Sequence, residues 1–286
     1  MASSSGPSDD ALLRALRRLQ GRVARLERAV LGTQRLLEAA LAERGLKVFR
    51  HSPTDRLLLP PEAPAELQER FYSHLHRYSF RLFLRDAIRL QSFRAHELTR
   101  FCSPQVAGRY LRFLEAAGAI EPHEEGWRLT RPVSSLGPSL EWYVARLFER
   151  EFLAPAIYGV RFRGLEAGGD FDVIAWLEGE LAYAEVKSSP PKGIEVTEVG
   201  AFLRRRRDLS PALSFFLVDT ELRMKDKIVP LFEEAAPGVP VVRLQAELFA
   251  TAPATYIINS RKSIAANIRR CLLDWRQGQA LPLGQR

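Results

Sequence analysis

Cysteine and lysine are both scarce in this chain. Two cysteines in 286 residues, Cys102 and Cys271, exclude a disulfide framework and a four-cysteine metal site, and read as buried thiols of a reducing compartment. No uncharged run approaches the roughly 18–20 apolar residues of a membrane span. The opening "MASSSGPSDD" has neither the basic nor the apolar region of a secretory leader. The expectation is a cytoplasmic protein with no membrane partner. Of the 42 lysines plus arginines only six are lysine, a bias that a GC-rich genome produces and that draws attention to each surviving lysine, Lys187 among them.

What is present in excess is positive charge. A net charge of +8 and a pI near 9.8 favour a polyanionic partner, with nucleic acid as the first candidate. At this length two or three folded units are expected.

Residues 1–10 are small and polar and are expected to be disordered. Over 11–44 a heptad runs through Leu12, Leu16, Leu19, Val23, Leu26, Val30, Thr33, Leu37 and Ala40. Such a seam predicts a coiled coil, and hence a homodimer or higher homo-oligomer through residues 12–40; a single amphipathic helix docked on its own protein is the alternative. Residues 45–65, with four prolines between 53 and 64, read as a linker. Residues 277–286 read as a tail.

The segment 66–133 carries three helical stretches and a small hairpin, "EPHEEGWRLT". The third stretch opens with Ser103 as an N-cap and Pro104 at the first helical position. The pattern resembles a winged helix-turn-helix domain, whose third helix usually lies in a DNA major groove. That resemblance points to Gln105, Arg109 and Arg112 as outward-facing DNA contacts, with Val106, Tyr110, Leu111 and Leu114 in the core. Winged helices also serve as protein-binding modules.

From 134 to 276 strands and helices alternate, which predicts a mixed sheet flanked by helices. Within it, "GGDFDVIAWLEGELAYAEVKSS" (168–189) reads as a hairpin. If Glu178-Gly179 is a two-residue turn, Leu177 pairs with Glu180, Asp172 falls opposite Glu185, and Asp170 faces Lys187. Asp172, Ile174 and Trp176 then share one face of the first strand, and Phe171, Val173 and Ala175 the other. Opposed carboxylates repel unless a cation sits between them, and Mg²⁺ accepts one or two carboxylates plus water and phosphate.

An aspartate followed a dozen residues later by Glu-Val-Lys at the end of a second strand resembles the PD-(D/E)XK nuclease superfamily. Phe171 stands where the proline of the name would be. The resemblance implies a restriction-endonuclease-like α/β (α+β) fold and Mg²⁺-dependent (or Mn²⁺-dependent) hydrolysis of DNA phosphodiesters. Asp172, Glu185 and the Val186 carbonyl would hold the metal. Glu141, on the apolar stripe of the preceding helix, would be a further ligand or water-positioning group. Lys187 would orient or deprotonate the attacking water and stabilise charge on the phosphate. Lys192, Arg204 and Arg205 would border the substrate groove. Taken singly, Glu141 fits equally a first-turn glutamate and Glu185 with Lys187 a solvated strand end. The alternative function is a DNA-binding regulator or scaffold with an inactive nuclease-like domain.

Overall fold

The computed structural model describes residues 35–165 and 168–280, with side chains described to residue 278. Its centre is an eight-stranded mixed sheet in the order β1-β5-β6-β7-β8-β11-β10-β9. The strands are β1 (Lys47–Arg50), β5 (Ala156–Arg163), β6 (Phe171–Leu177), β7 (Glu180–Lys187), β8 (Leu213–Val218), β9 (Val241–Gln245), β10 (Leu248–Thr251) and β11 (Thr255–Asn259). β7, β8 and β11 run parallel and the remaining pairs are antiparallel. All six residues of β8, "LSFFLV", are buried, as expected of a central strand covered on both faces.

Helices cover both faces, so two cores form. On one side α5 (Gly137–Glu151) and α8 (Ile264–Ala280) pack on Val173, Ala175, Ala182, Ala184, Phe215 and Ile258. On the other, α6 (Val196–Leu209), α7 (Ile228–Ala235) and the helical residues 35–43, here α1, pack on Ile174, Leu181, Tyr183, Phe216 and Ile257. The chain is thus a mixed α/β protein with eight helices and one large mixed sheet among its described residues. No described helix is long and apolar enough to cross a membrane.

Heptad positions 12–33 lie outside the described residues. The last two, Leu37 and Ala40, are buried within the chain, and Leu37 joins Leu41 and Leu46 in the second core. At this end the apolar stripe is therefore covered by the chain's own sheet. The stretch 45–65, expected as a linker, is built into the fold. β1 pairs with β5, and Leu57, Leu58 and Leu59 are buried in the first core. Its prolines stop helices without keeping the chain from packing, and the leucine triplet carries apolar area that folding removes from water. The expected tail at 277 begins inside α8, which runs on to Ala280.

A second layer precedes α5: α2 (Ala65–Leu75), α3 (Tyr78–Leu90), β2 (Ser92–Phe93), a 3₁₀ turn (Ala95–Leu98), α4 (Pro104–Ala116), β3 (Ile120–His123) and β4 (Gly126–Leu129). β2, β4 and β3 form a small antiparallel sheet in that order. Ser103 caps α4, its hydroxyl accepting the Val106 N–H at 3.3 Å. Phe71, Phe80, Phe83, Tyr110 and Phe113 belong to the same continuous core as Leu140, Trp142 and Phe148 of α5. The boundary at 133/134 is thus a change of element type, not a gap between cores.

Candidate functional site

The hairpin turn sets the register. Glu178 and Gly179 both have positive φ, 56° and 83°, the two left-handed residues of a type I′ turn that suits the twist of paired strands. Leu177 pairs with Glu180, and the ladder runs without slip to Val173↔Ala184, the pairing read from the turn. One step further the alternation breaks. Phe171 and Ile174, three apart, both face the second core, so Phe171 does not share the face of Val173. Opposite, Tyr158 pairs with Val173 and Val160 with Phe171, with no pair between Gly159 and Asp172. Gly159 has φ +53°, and a Cβ there would lie 2.8 Å from Pro53 Cδ. A glycine is needed at this point, and its local distortion releases Asp172 from the ladder.

Freed in this way, Asp172 reaches across to β7, where its Oδ2 accepts the Val186 N–H at 2.7 Å. Glu141 comes from the first turns of α5. Its oxygens lie 3.7 Å from the position of a Cβ on Gly159 and 3.9 Å from one on Gly137. Glu185 is buried near the end of β7. The three carboxylates, from α5, β6 and β7, are close enough to repel one another. Burial first, then Glu185 and Asp170, raises the Glu141 carboxyl to about 7. Burial, then Glu185 and Glu141, raises Asp172 well above the usual carboxylate range, against the Val186 N–H and Lys187.

The cations of the patch sit on Glu185. Arg205 Nη2 donates to its Oε1 at 2.6 Å, Lys187 Nζ lies 3.1 Å from the same oxygen, and the Tyr183 hydroxyl donates to Oε2. Arg205 Nε in turn donates to the Tyr183 oxygen at 3.0 Å. Lys187 is held on its other side by Glu198 Oε1 at 3.0 Å. The second oxygen of Glu198 accepts the Glu195 N–H at 3.1 Å in the capping box that opens α6. Burial alone would lower the Lys187 ammonium, but Glu185, the bond to Glu198 and Asp172 outweigh it and hold it above its ordinary value. Lys187 is thus an ammonium held between two carboxylates, placed to donate a hydrogen bond.

Asp170 does not meet Lys187; it pairs with Arg161 across β5 and β6. Arg205, expected at the groove, is turned inward. It lies on the sheet-facing side of α6, and a run of four arginines does not reveal which of them faces in. Arg204 and Lys192 are exposed, as are Gln105, Arg109 and Arg112 on α4. Val106 is half-buried, and Tyr110, Leu111 and Leu114 are buried. Tyr183 and Glu198 escape a motif reading, although the E-V-T-E of residues 195–198 is a capping-box signal.

As the side chains stand, no group of three or more His, Cys, Asp and Glu residues among those described is placed to hold a metal ion. No family model, no curated protein and no solved structure matches the chain.

Proposed function

We propose that the chain is a divalent-metal-dependent nuclease of the PD-(D/E)XK kind that hydrolyses DNA phosphodiesters. The observation that carries this reading is the convergence of Glu141, Asp172, Glu185 and Lys187 from α5, β6 and β7 on one patch, with two of the carboxylates lifted toward the protonated state by burial and then by their acidic neighbours. Helix, hairpin strands, helix and parallel strand follow in the order expected of a restriction-endonuclease-like core.

The donor set fits a hard cation. Asp172 and Glu141 carry no ion pair among the described residues, and each offers carboxylate oxygens as ligands. Mg²⁺ needs only one or two carboxylates and keeps several waters, so the lack of a closed three-ligand group does not argue against it. Asp172, Glu141, Glu185 and the Val186 carbonyl would hold the ion. When bound, such an ion polarises the phosphate and acidifies water. The chain's own part is positional: Lys187, braced between Glu185 and Glu198, presents an ammonium to a phosphoryl oxygen, and Arg205 with Tyr183 fixes Glu185.

The layer from α3 to β4 supports a winged-helix reading, with Gln105, Arg109 and Arg112 on the free face of α4 as DNA contacts. The hairpin tip, Glu124 and Glu125, is acidic and Glu125 is paired to Arg94. DNA contact therefore belongs to α4, not to the wing.

One observation favours the second reading, a DNA-binding scaffold with an inactive nuclease-like domain: both Glu185 oxygens are occupied by Tyr183, Arg205 and Lys187. The two readings separate on linear, nicked, branched and single-stranded DNA incubated with Mg²⁺ or Mn²⁺. Cleavage that Asp172→Ala and Lys187→Ala each reduce by at least about a hundredfold, the scale of losing a charge-stabilising group, supports the enzyme. Binding without cleavage on every substrate supports the scaffold.

A further inference from the structure

We infer a second phosphate-binding site at the carboxyl end of β11, in line with the carboxylate patch along the same sheet edge. A cavity of about 280 Å³ opens there, lined among others by Asn259, Arg261, Lys262, Asn267, Arg270 and Glu247. Three cations thus converge on one concavity, and none of them forms an ion pair among the described residues. The one facing carboxylate, Glu247, is already engaged. Its Oε2 accepts the Met224 N–H at 2.6 Å and the Lys225 N–H at 3.3 Å, and Arg243 lies 4.0 Å from Oε1. The cavity therefore keeps a net positive charge with donors on several sides, the complement of a phosphate.

The loop that presents two of these cations is fixed from beneath. Asn267 Nδ2 donates to the carbonyls of Asn259 at 2.7 Å and Arg261 at 3.0 Å. The Arg261 N–H donates to Asn259 Oδ1 at 3.2 Å, and the Ser260 N–H to the Thr220 carbonyl at 2.9 Å. Asn259 and Asn267 are buried. Arg261 and Lys262 thus leave a rigid base and are themselves exposed.

Sheet register places this site relative to Lys187. In the parallel ladders Lys187 pairs with Val218 and Val218 with Asn259, so Lys187 and Asn259 stand in one row two strands apart. Two strand spacings are about 10 Å, roughly three base steps of duplex axis. Ligands of open α/β sheets gather outside the carboxyl ends of parallel strands, and both features lie on that edge. A nucleic acid whose phosphodiester reaches Lys187 can place a further phosphate, internal or terminal, in the cavity.

The identity of the polyanion rests on the nuclease reading; the site does not. Full-length protein is titrated into labelled oligonucleotides in Ca²⁺ buffer at several salt concentrations, as wild type and as Arg261→Ala/Lys262→Ala. The double variant should bind about tenfold more weakly, with a log-affinity against log-salt slope shallower by about two. Arg70→Ala/Arg77→Ala, two exposed cations on and just after α2, is the control for charge elsewhere. Loss confined to 5′-phosphorylated strands identifies a terminal phosphate, and equal loss on 5′-hydroxyl strands a backbone phosphate. Unchanged affinity and slope would overturn the site. If wild type binds no oligonucleotide, the nuclease reading fails and inorganic phosphate decides. Amide resonances of 259–263 that shift with phosphate in wild type and not in the variant sustain the site, and their indifference in wild type rejects it.

Discussion

At Glu141 a proton would compete with the proposed metal ion for one buried carboxylate. Its folded-state value is about 7 against an ordinary 4.5, through burial and then its acidic neighbours. The native chain therefore holds more protons than the unfolded chain between those values, and stability falls as pH rises through about 4.5 to about 7. Asp172 adds to the same slope, its value being raised too. Glu141→Gln removes one partner of that repulsion. It should be more stable than wild type by about 3 kcal/mol at pH 8, with no gain at pH 4, as read from urea unfolding at the two pH values. If a divalent ion occupies the patch, Ca²⁺ or Mg²⁺ should raise the wild-type Tm at pH 8 and not at pH 4. Glu141→Gln should blunt that rise. A gain of equal size at both pH values would show that Glu141 does not titrate in this window.

At the scale of single elements, a one-residue departure from regular pairing does much of the positioning. Gly159 meets both conditions that exclude a side chain: a left-handed φ and Pro53 Cδ 2.8 Å from where its Cβ would stand. Gly159→Ala should cost about 1–3 kcal/mol through strain and overpacking and displace Asp172 from Val186. On the proposed nuclease reading, its activity loss should accordingly exceed what its stability loss explains, measured as residual cleavage well below the melting range. Full activity in a destabilised variant would separate Gly159 from the placement of Asp172. The same elements show what sequence can reveal. Turn chemistry at Glu178-Gly179 and strict alternation from Val173 to Leu177 made the hairpin and its charged ends legible, because both signals are local. β5, β10 and β11 carry no comparable local signal. "AIYGVRFR" breaks its own alternation at Gly159, and β10 and β11 are short, apolar and joined by a tight turn. The inward turn of Arg205 depends on how α6 lies on the sheet, which four consecutive arginines do not encode. The leucines at 57–59 are apolar, but the prolines around them mask their place in the core.

At the scale of the whole molecule, one buried ion cluster ties the helical layer to the sheet behind the candidate site. Asp219, directly after β8, is fully buried and its N–H donates to the Lys187 carbonyl at 2.8 Å. Two arginines of α3 close on its side chain, Arg81 Nε at 2.9 Å from Oδ1 and Arg85 Nη2 at 2.6 Å from Oδ2, and the Ser260 hydroxyl also donates to Oδ1. The cluster thus spans α3, the end of β8 and the loop after β11, and it touches the backbone of Lys187. Removing the shared anion leaves the buried Arg81 guanidinium without its counter-charge, which typically costs about 3–5 kcal/mol. Asp219→Ala should therefore lower Tm by roughly 6–15 °C for a chain of this size. Because the first core is continuous from Phe71 to Phe148 and on to Phe215, wild type should unfold in a single transition, with Trp127 of β4 and Trp142 of α5 changing together. In Asp219→Ala the two layers should part, with limited proteolysis between α4 and α5 appearing before global unfolding. Arg85→Ala, which leaves Arg81 paired, should lose less than half as much. Equal losses in the two variants would show that the cluster acts through Arg85 alone, and an Asp219→Ala protein of wild-type stability would remove the cluster from the set of contacts that join the layers.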